Sequence, residues 1–376
     1  MKKLTCGICL LLHLSLAAQA DLSFSLQQGY IHNIFRNPAS WNPSGDESLP
    51  PTQLLQSGAV TAAEFTVDWE KKWKQQRLGF ASDIGGQFFP SLQPANEVDI
   101  SLKQSFEHRF TKKLTGYQKG GWRVKNRQGS DVAEDLFTLP NAYRQLDYLV
   151  GLSWRPNRAH WLKLEIGKSH KIYQPTETSS LRYDATQFRL LHRYRFDNKD
   201  HLQRWTTTLK YQRRWYERER FLAEETEEEE DLEAFNLYDM QYLVFDTELS
   251  YDLGEDWTLS PSLEWTRRQS EEDRLQYWQL EPSLKVGYQK EKWEVNGRTV
   301  FAYRKNPFLE PGETELPLIY GYATFAGNVQ YEWKERWCWT ASWSFTKRWS
   351  SFDEVESRAY RPYGYWRILA GLRYRF

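Results

Sequence analysis

Strict alternation of apolar and polar residues, held over runs of ten residues or more, constrains this chain more than any other feature. From Trp257, the residues Trp257, Leu259, Pro261, Leu263 and Trp265 share one face of an extended segment, and Thr258, Ser260, Ser262, Glu264 and Thr266 share the other. Trp278, Leu280, Pro282, Leu284, Val286 and Tyr288 repeat the pattern, as do Trp337, Trp339, Ala341, Trp343 and Phe345. Side chains change face at every residue of a strand, so these are two-faced strands with one oily side. In a soluble sandwich the oily faces meet in a core and strands average five or six residues. Here the runs are longer, and their apolar faces begin and end in Trp, Tyr or Phe with smaller side chains between. That is the profile of a surface crossing a hydrocarbon slab, with amphipathic rings at both interfaces. The opposite faces carry ions that no core accepts unpaired: Arg204, Lys210 and Arg214 on one, Asp246, Glu248 and Asp252 on another.

Candidate strands fall near 22–31, 62–71, 76–88, 97–110, 114–125, 143–155, 159–170 and 181–196. The others fall near 201–216, 238–252, 256–267, 276–289, 292–304, 318–333, 336–348 and 362–376. This predicts an all-β, antiparallel up-and-down transmembrane barrel of about sixteen strands, with fourteen or eighteen as alternatives. Connections alternate in length. Short ones such as 72–75, 111–113 and 334–335 fall on one rim, and long ones such as 32–61, 126–141 and 217–237 on the other. Hairpin turns in the periplasm and extended loops outside the cell are the expected asymmetry.

The N-terminus predicts export. Met1-Lys2-Lys3 forms a basic start, Cys9 to Leu16 a short apolar run, and Ala18-Gln19-Ala20 a cleavage pattern. Residues 1–20 therefore read as a signal peptide and 21–376 as the barrel. The 50 basic and 50 acidic side chains balance, which argues against nucleic acid as a partner. Outside that leader Cys338 is the only cysteine, so neither an intramolecular disulfide nor a cysteine metal cluster is expected. No metal or cofactor is predicted. The acidic segment Glu224–Asp231 reads as a solvated loop.

With these features in place the chain resembles Gram-negative outer-membrane β-barrel proteins of porin type over nearly all of residues 21–376. The sharpest element is the alternating C-terminus Leu372-x-Tyr374-x-Phe376. In that family such a terminus is the signal read by the barrel assembly machinery. The resemblance implies residence in the outer membrane among lipid and lipopolysaccharide. It also implies a lumen for small hydrophilic solutes, charged or oligosaccharide.

Alternation assigns the pore-lining candidates. Basic ones are Arg189, Arg193, Arg195, Arg204, Lys210, Arg214, Arg367 and Arg373; acidic ones are Asp246, Glu248, Glu264 and Glu281. One reading is a transverse field that selects charged solutes, and the other is a set of salt-bridge ladders stiffening the wall. Inward Tyr277, Tyr320, Tyr322 and Tyr365 offer rings to sugars or to packing. Two long loops are candidate constrictions. By similarity to sixteen-stranded porins the third exposed loop would fold inward, bringing Asp131, Glu134 and Asp135 against the arginines. The Pro-rich first loop is its rival.

An enzyme is not expected. Of the mature histidines none is followed at the second position by the serine of membrane phospholipases, and no Gly-x-Ser-x-Gly, His-Glu-x-x-His or phosphate loop is present. The alternative to a channel is an export or assembly barrel for polysaccharide, lipid or protein, working with a periplasmic partner.

Overall fold

A computed structural model describes residues 20–34, 36, 56–127, 130–131, 139–140, 142–174, 179–196, 203–220, 235–271, 275–307, 317–351 and 362–376. The first strands are β1 (Ala20–His32), β2 (Gly58–Lys72), β3 (Gln76–Phe88), β4 (Glu97–Arg109) and β5 (Leu114–Arg127). Two short strands, β6 (Ser130–Asp131) and β7 (Leu139–Pro140), pair only with each other. The wall resumes with β8 (Tyr143–Trp154), β9 (His160–Tyr173), β10 (Ser179–Phe196), β11 (Gln203–Arg220) and β12 (Phe235–Leu253). It continues with β13 (Trp257–Ser270), β14 (Tyr277–Lys290) and β15 (Trp293–Asn306). The last are β16 (Leu318–Lys334), β17 (Trp337–Ser350) and β18 (Tyr363–Arg375).

Leaving aside β6 and β7, sixteen strands follow one another antiparallel, and β1 closes on β18. Closure removes the unpaired edge that a membrane would not tolerate. The predicted strand set matches this wall one for one. The boundaries differ at the outer rim, where β11 runs on to Arg220 and β12 starts at Phe235, shortening that loop to 221–234. At the other end, β1 begins at Ala20, opposite Trp69. Residues 1–19 lie outside the described residues.

The seam between first and last strands depends on two glycines. A Cβ at Gly29 would collide with the carbonyl oxygen of Ile368, and one at Gly371 with that of Leu26. The backbones approach too closely there for any side chain.

Registers place every odd residue of β10 and every even residue of β11 to β13 on the same inner surface. Their neighbours form an exposed apolar exterior: Leu146, Leu164, Leu190, Phe245, Leu263 and Ile368 are all well exposed. Rings pair across strands at the periplasmic end of this belt, as in Trp257 with Tyr288 (4.6 Å), Trp293 with Tyr331 (4.6 Å) and Trp337 with Tyr374 (4.8 Å). Trp278 with Tyr303 (5.4 Å) and Tyr30 with Trp366 (5.3 Å) mark the opposite end. An apolar surface this continuous has no stable contact with water; it matches a bilayer between two aromatic girdles.

Candidate functional site

All twelve predicted pore-lining residues face the interior. Their arrangement differs from a transverse field. In strand order β10 and β18 stand eight places apart around the sixteen-strand wall, as do β4 and β14. The basic sector of Arg189, Arg193, Arg195, Arg204, Lys210 and Arg214 therefore faces the basic sector of Arg367 and Arg373. The carboxylates Asp246, Glu248, Glu264 and Glu281 on β12 to β14 face those of β2 to β4. Charge alternates in four sectors, with like opposite like.

The two signs are not equally free. On β2 to β5, Glu70 is held by Lys72 (2.7 Å) and Arg77, and Asp83 by Lys103 (3.1 Å). Asp99 is held by Arg123, and Glu97 by Lys125 (3.2 Å) and Arg127 (3.5 Å). On the facing wall Glu248 meets Lys285 at 2.5 Å and Glu281 meets Arg298 at 3.7 Å. Asp246 and Glu264 are register partners without a cation in ion-pair range among the described residues. Among the basic candidates, Arg189 meets the buried Glu165 at 3.3 Å, and Tyr117 donates its hydroxyl to that same carboxylate at 2.7 Å. No described carboxylate pairs with Arg193, Arg195, Arg204, Lys210, Arg214, Arg367 or Arg373. Neutral groups hold two of them: Arg214 donates to Tyr216 Oη (3.3 Å) and Gln212 Oε1 (3.2 Å), and Arg373 to Gln330 Oε1 (3.4 Å). The salt-bridge-ladder reading thus describes the carboxylates of β3 and β4 together with Glu70, Glu248 and Glu281, and leaves much of the arginine surplus uncompensated.

The extracellular half of the lumen is lined by tyrosines interleaved with cations. Lys171 lies 3.6 Å from the Tyr143 ring centroid and 4.6 Å from that of Tyr173. Arg214 lies over Tyr242 (4.5 Å), Arg268 over Tyr277 (4.3 Å), and Arg348 over Tyr320 (4.0 Å). Arg268 and Arg348 are each only 1% exposed, so this half of the lumen is filled at its wall. The predicted inward rings Tyr277, Tyr320 and Tyr322 belong to this girdle, and Tyr365 receives Arg36 at 5.1 Å. Tyr143, Tyr173, Tyr183, Tyr216 and Tyr242 were legible by the same alternation but not singled out.

A loop that sequence reasoning passed over folds inward at the mouth. After β3, residues 89–96 include a single 3-10 turn, Gln93–Ala95, and bury Phe89 and Ala95 against Ile31, Ile34, Val60 and Leu369. The Asn96 side chain accepts the Phe89 N–H at 2.7 Å and closes the loop on itself. The base of the first loop is fixed beside it: Asn33 donates to Gly364 O (2.8 Å) and Arg127 to Ile34 O (2.9 Å). The third loop offers only the β6–β7 hairpin, with Asp131 on β6; Glu134 and Asp135 lie outside the described residues.

A cavity of about 1090 Å³ lies against β1 to β5 and β8 and reaches the periplasmic half, lined in part by Asp21, Asp68, Ser101 and Lys119. The described residues contain no group of three metal-ligating side chains. His108, His170 and His192 lie on the outer face, and His192 stacks on His160.

A closed wall, an apolar exterior bounded by aromatic rings and a charged interior are now all in place. The chain is a transmembrane β-barrel. Leu372, Tyr374 and Phe376 lie on its outer face, and the terminal Phe376 N–H donates to Leu22 O at 3.0 Å across the seam.

No protein-family model matches the chain, and no curated protein does. Among solved structures it is similar to OccAB3 of Acinetobacter baumannii, with 7% identity over 95% of this chain and 99% of that one, and a TM-score of 0.49. It is also similar to the unliganded ferric citrate transporter FecA, with 9% identity over 88% of this chain and a TM-score of 0.44; the chain spans 60% of that protein's length. For the RagAB peptide transporter the figures are 10% identity, 88% of this chain, 55% of that one and a TM-score of 0.41. The chemistry of this lumen has to be read from its own residues.

Proposed function

We propose that this barrel is an outer-membrane channel for hydrophilic solutes and that it favours anions. One observation carries the reading: on two opposed arginine-rich walls Arg193, Arg195, Arg204, Arg214, Arg367 and Arg373 have no carboxylate in ion-pair range among the described residues, while Glu70, Asp83, Glu97, Asp99, Glu248 and Glu281 are each neutralised by a cation. A low-dielectric wall focuses such a field into the lumen and raises the local concentration of anions. The rings and buried cations of the extracellular half narrow the path, so the preference would act on solutes in contact with the wall.

The filled outer half also favours a second reading, an export barrel for polysaccharide, lipid or protein opened by a periplasmic partner. Planar bilayers separate the two. Under a KCl gradient a steady conductance with a reversal potential on the chloride side supports the channel. A silent barrel supports the export reading, and a cation-side potential refutes the anion preference.

A further inference from the structure

We infer that the periplasmic ends of β9 to β11 form a binding site for a polyanion, a solute carrying several carboxylate or phosphate groups a few ångströms apart. The inference rests on the lumen serving anions and names where and in what form they are first held.

The site is built around one ring. Trp161 faces inward at the start of β9 and is fixed by donating its indole N–H to Ser153 Oγ at 2.5 Å. Three cations gather on it: Arg193 at 4.4 Å from the centroid, Lys163 at 4.5 Å and Arg155 at 5.1 Å. Beside them Arg195 and Arg204 are direct register partners on β10 and β11. Like charges directly opposite in a sheet destabilise the pair, and five cations on one short stretch of wall compound the repulsion.

Three of the nearby carboxylates are already engaged. Glu165 is engaged by Arg189 and Tyr117, Glu248 by Lys285, and Glu107 by Arg77 at 3.9 Å. The Nε–H of Arg193 is buried and has no acceptor among the described residues. A buried donor left unmade costs free energy that a bound anion would recover.

Geometry sets the ligand class. Alternate residues of one strand stand about 7 Å apart and neighbouring strands about 5 Å. Arg193, Arg195 and Arg204 therefore present forked donors at the spacing of successive charges on a linear oligoanion. A single small anion would meet only one or two of them. Guanidinium forks bind carboxylate and phosphate alike, so the chemistry defines the charge pattern and leaves its source to experiment.

The test is calorimetric titration of the purified barrel in neutral detergent at low salt with trigalacturonate, tripolyphosphate and acetate. Trigalacturonate binding alone identifies an acidic saccharide, tripolyphosphate binding alone a phosphate chain, and binding of both the shared charge pattern. Acetate should give no heat. Arg195→Gln/Arg204→Gln should weaken the polyanion by about tenfold or more, as expected for lost charge-assisted hydrogen bonds. Lys112→Gln/Lys113→Gln, which removes the same charge from a periplasmic turn, should leave it unchanged. Heat-modifiable gel mobility checks that each variant is folded. Absence of binding by the wild type, or equal weakening by both double variants, overturns the site. Because titration does not depend on conduction, a silent barrel that still binds refutes only the channel. An anion-selective barrel that does not bind refutes only the site.

Discussion

Arg195 and Arg204 stand directly opposite one another across β10 and β11, both facing the lumen. Such a pair works against sheet stability unless something negative lies between them. Arg195→Glu supplies that negative group within the wall. It should raise the denaturation midpoint in detergent by an amount corresponding to about 0.2–1 kcal/mol and should lower the anion preference. A less stable variant with unchanged selectivity would show that another group already compensates Arg204.

Leu263 and Ser262 test the facing of the wall. Leu263 projects outward near the middle of β13, and Ser262 projects inward, where its hydroxyl meets Ser283 Oγ at 2.7 Å. Leu263→Arg should cost about 2–4 kcal/mol in a reversible lipid refolding titration, as arginine does near the bilayer midplane. Ser262→Arg should cost about 1 kcal/mol, the loss of one modest hydrogen bond. Equal costs would reverse the assignment.

The inward loop makes a different prediction. Phe89 is 2% exposed in the apolar cluster at the mouth. Phe89→Ala removes the ring that anchors residues 89–96 to β1, β2 and β18. Conductance should rise in planar bilayers while ion preference stays, because no charge changes. Unaltered conductance would place the constriction elsewhere.

The C-terminal strand bears on assembly. We propose that Leu372, Tyr374 and Phe376 are read by the barrel assembly machinery. Deleting Phe376 should reduce the folded, heat-modifiable form in cells much more than refolding of purified chain into lipid. Equal losses in both would make Phe376 a seam residue only.

Alternation made the barrel legible because a strand in a membrane has one solvent on each side, and its residues record both. Leu263 and Ser262 are adjacent and unambiguous for that reason. The loop at 89–96 leaves a weaker trace. Its one cue is the Phe88-Phe89 doublet, where the outward series ends and an apolar residue turns inward. The four-sector charge pattern was hidden for another reason. The residues were readable strand by strand, but which strands face each other depends on the closed count and the order around the wall. Trp161 belongs to neither girdle: it is odd-numbered like the inward Glu165 of β9 and lies on the same inner face.

One face of each strand meets acyl chains and the other an enclosed aqueous space. Ser101 and Leu102 of β4 test it most directly, since they are neighbours on opposite faces and Ser101 borders the lumenal cavity. In a Cys338→Ser background, Ser101→Cys should react with a charged, membrane-impermeant thiol reagent in reconstituted vesicles. A fluorophore on Leu102→Cys should instead be quenched by brominated acyl chains. Reagent access at Leu102→Cys together with acyl-chain quenching at Ser101→Cys would mean that the two faces are assigned the wrong way round.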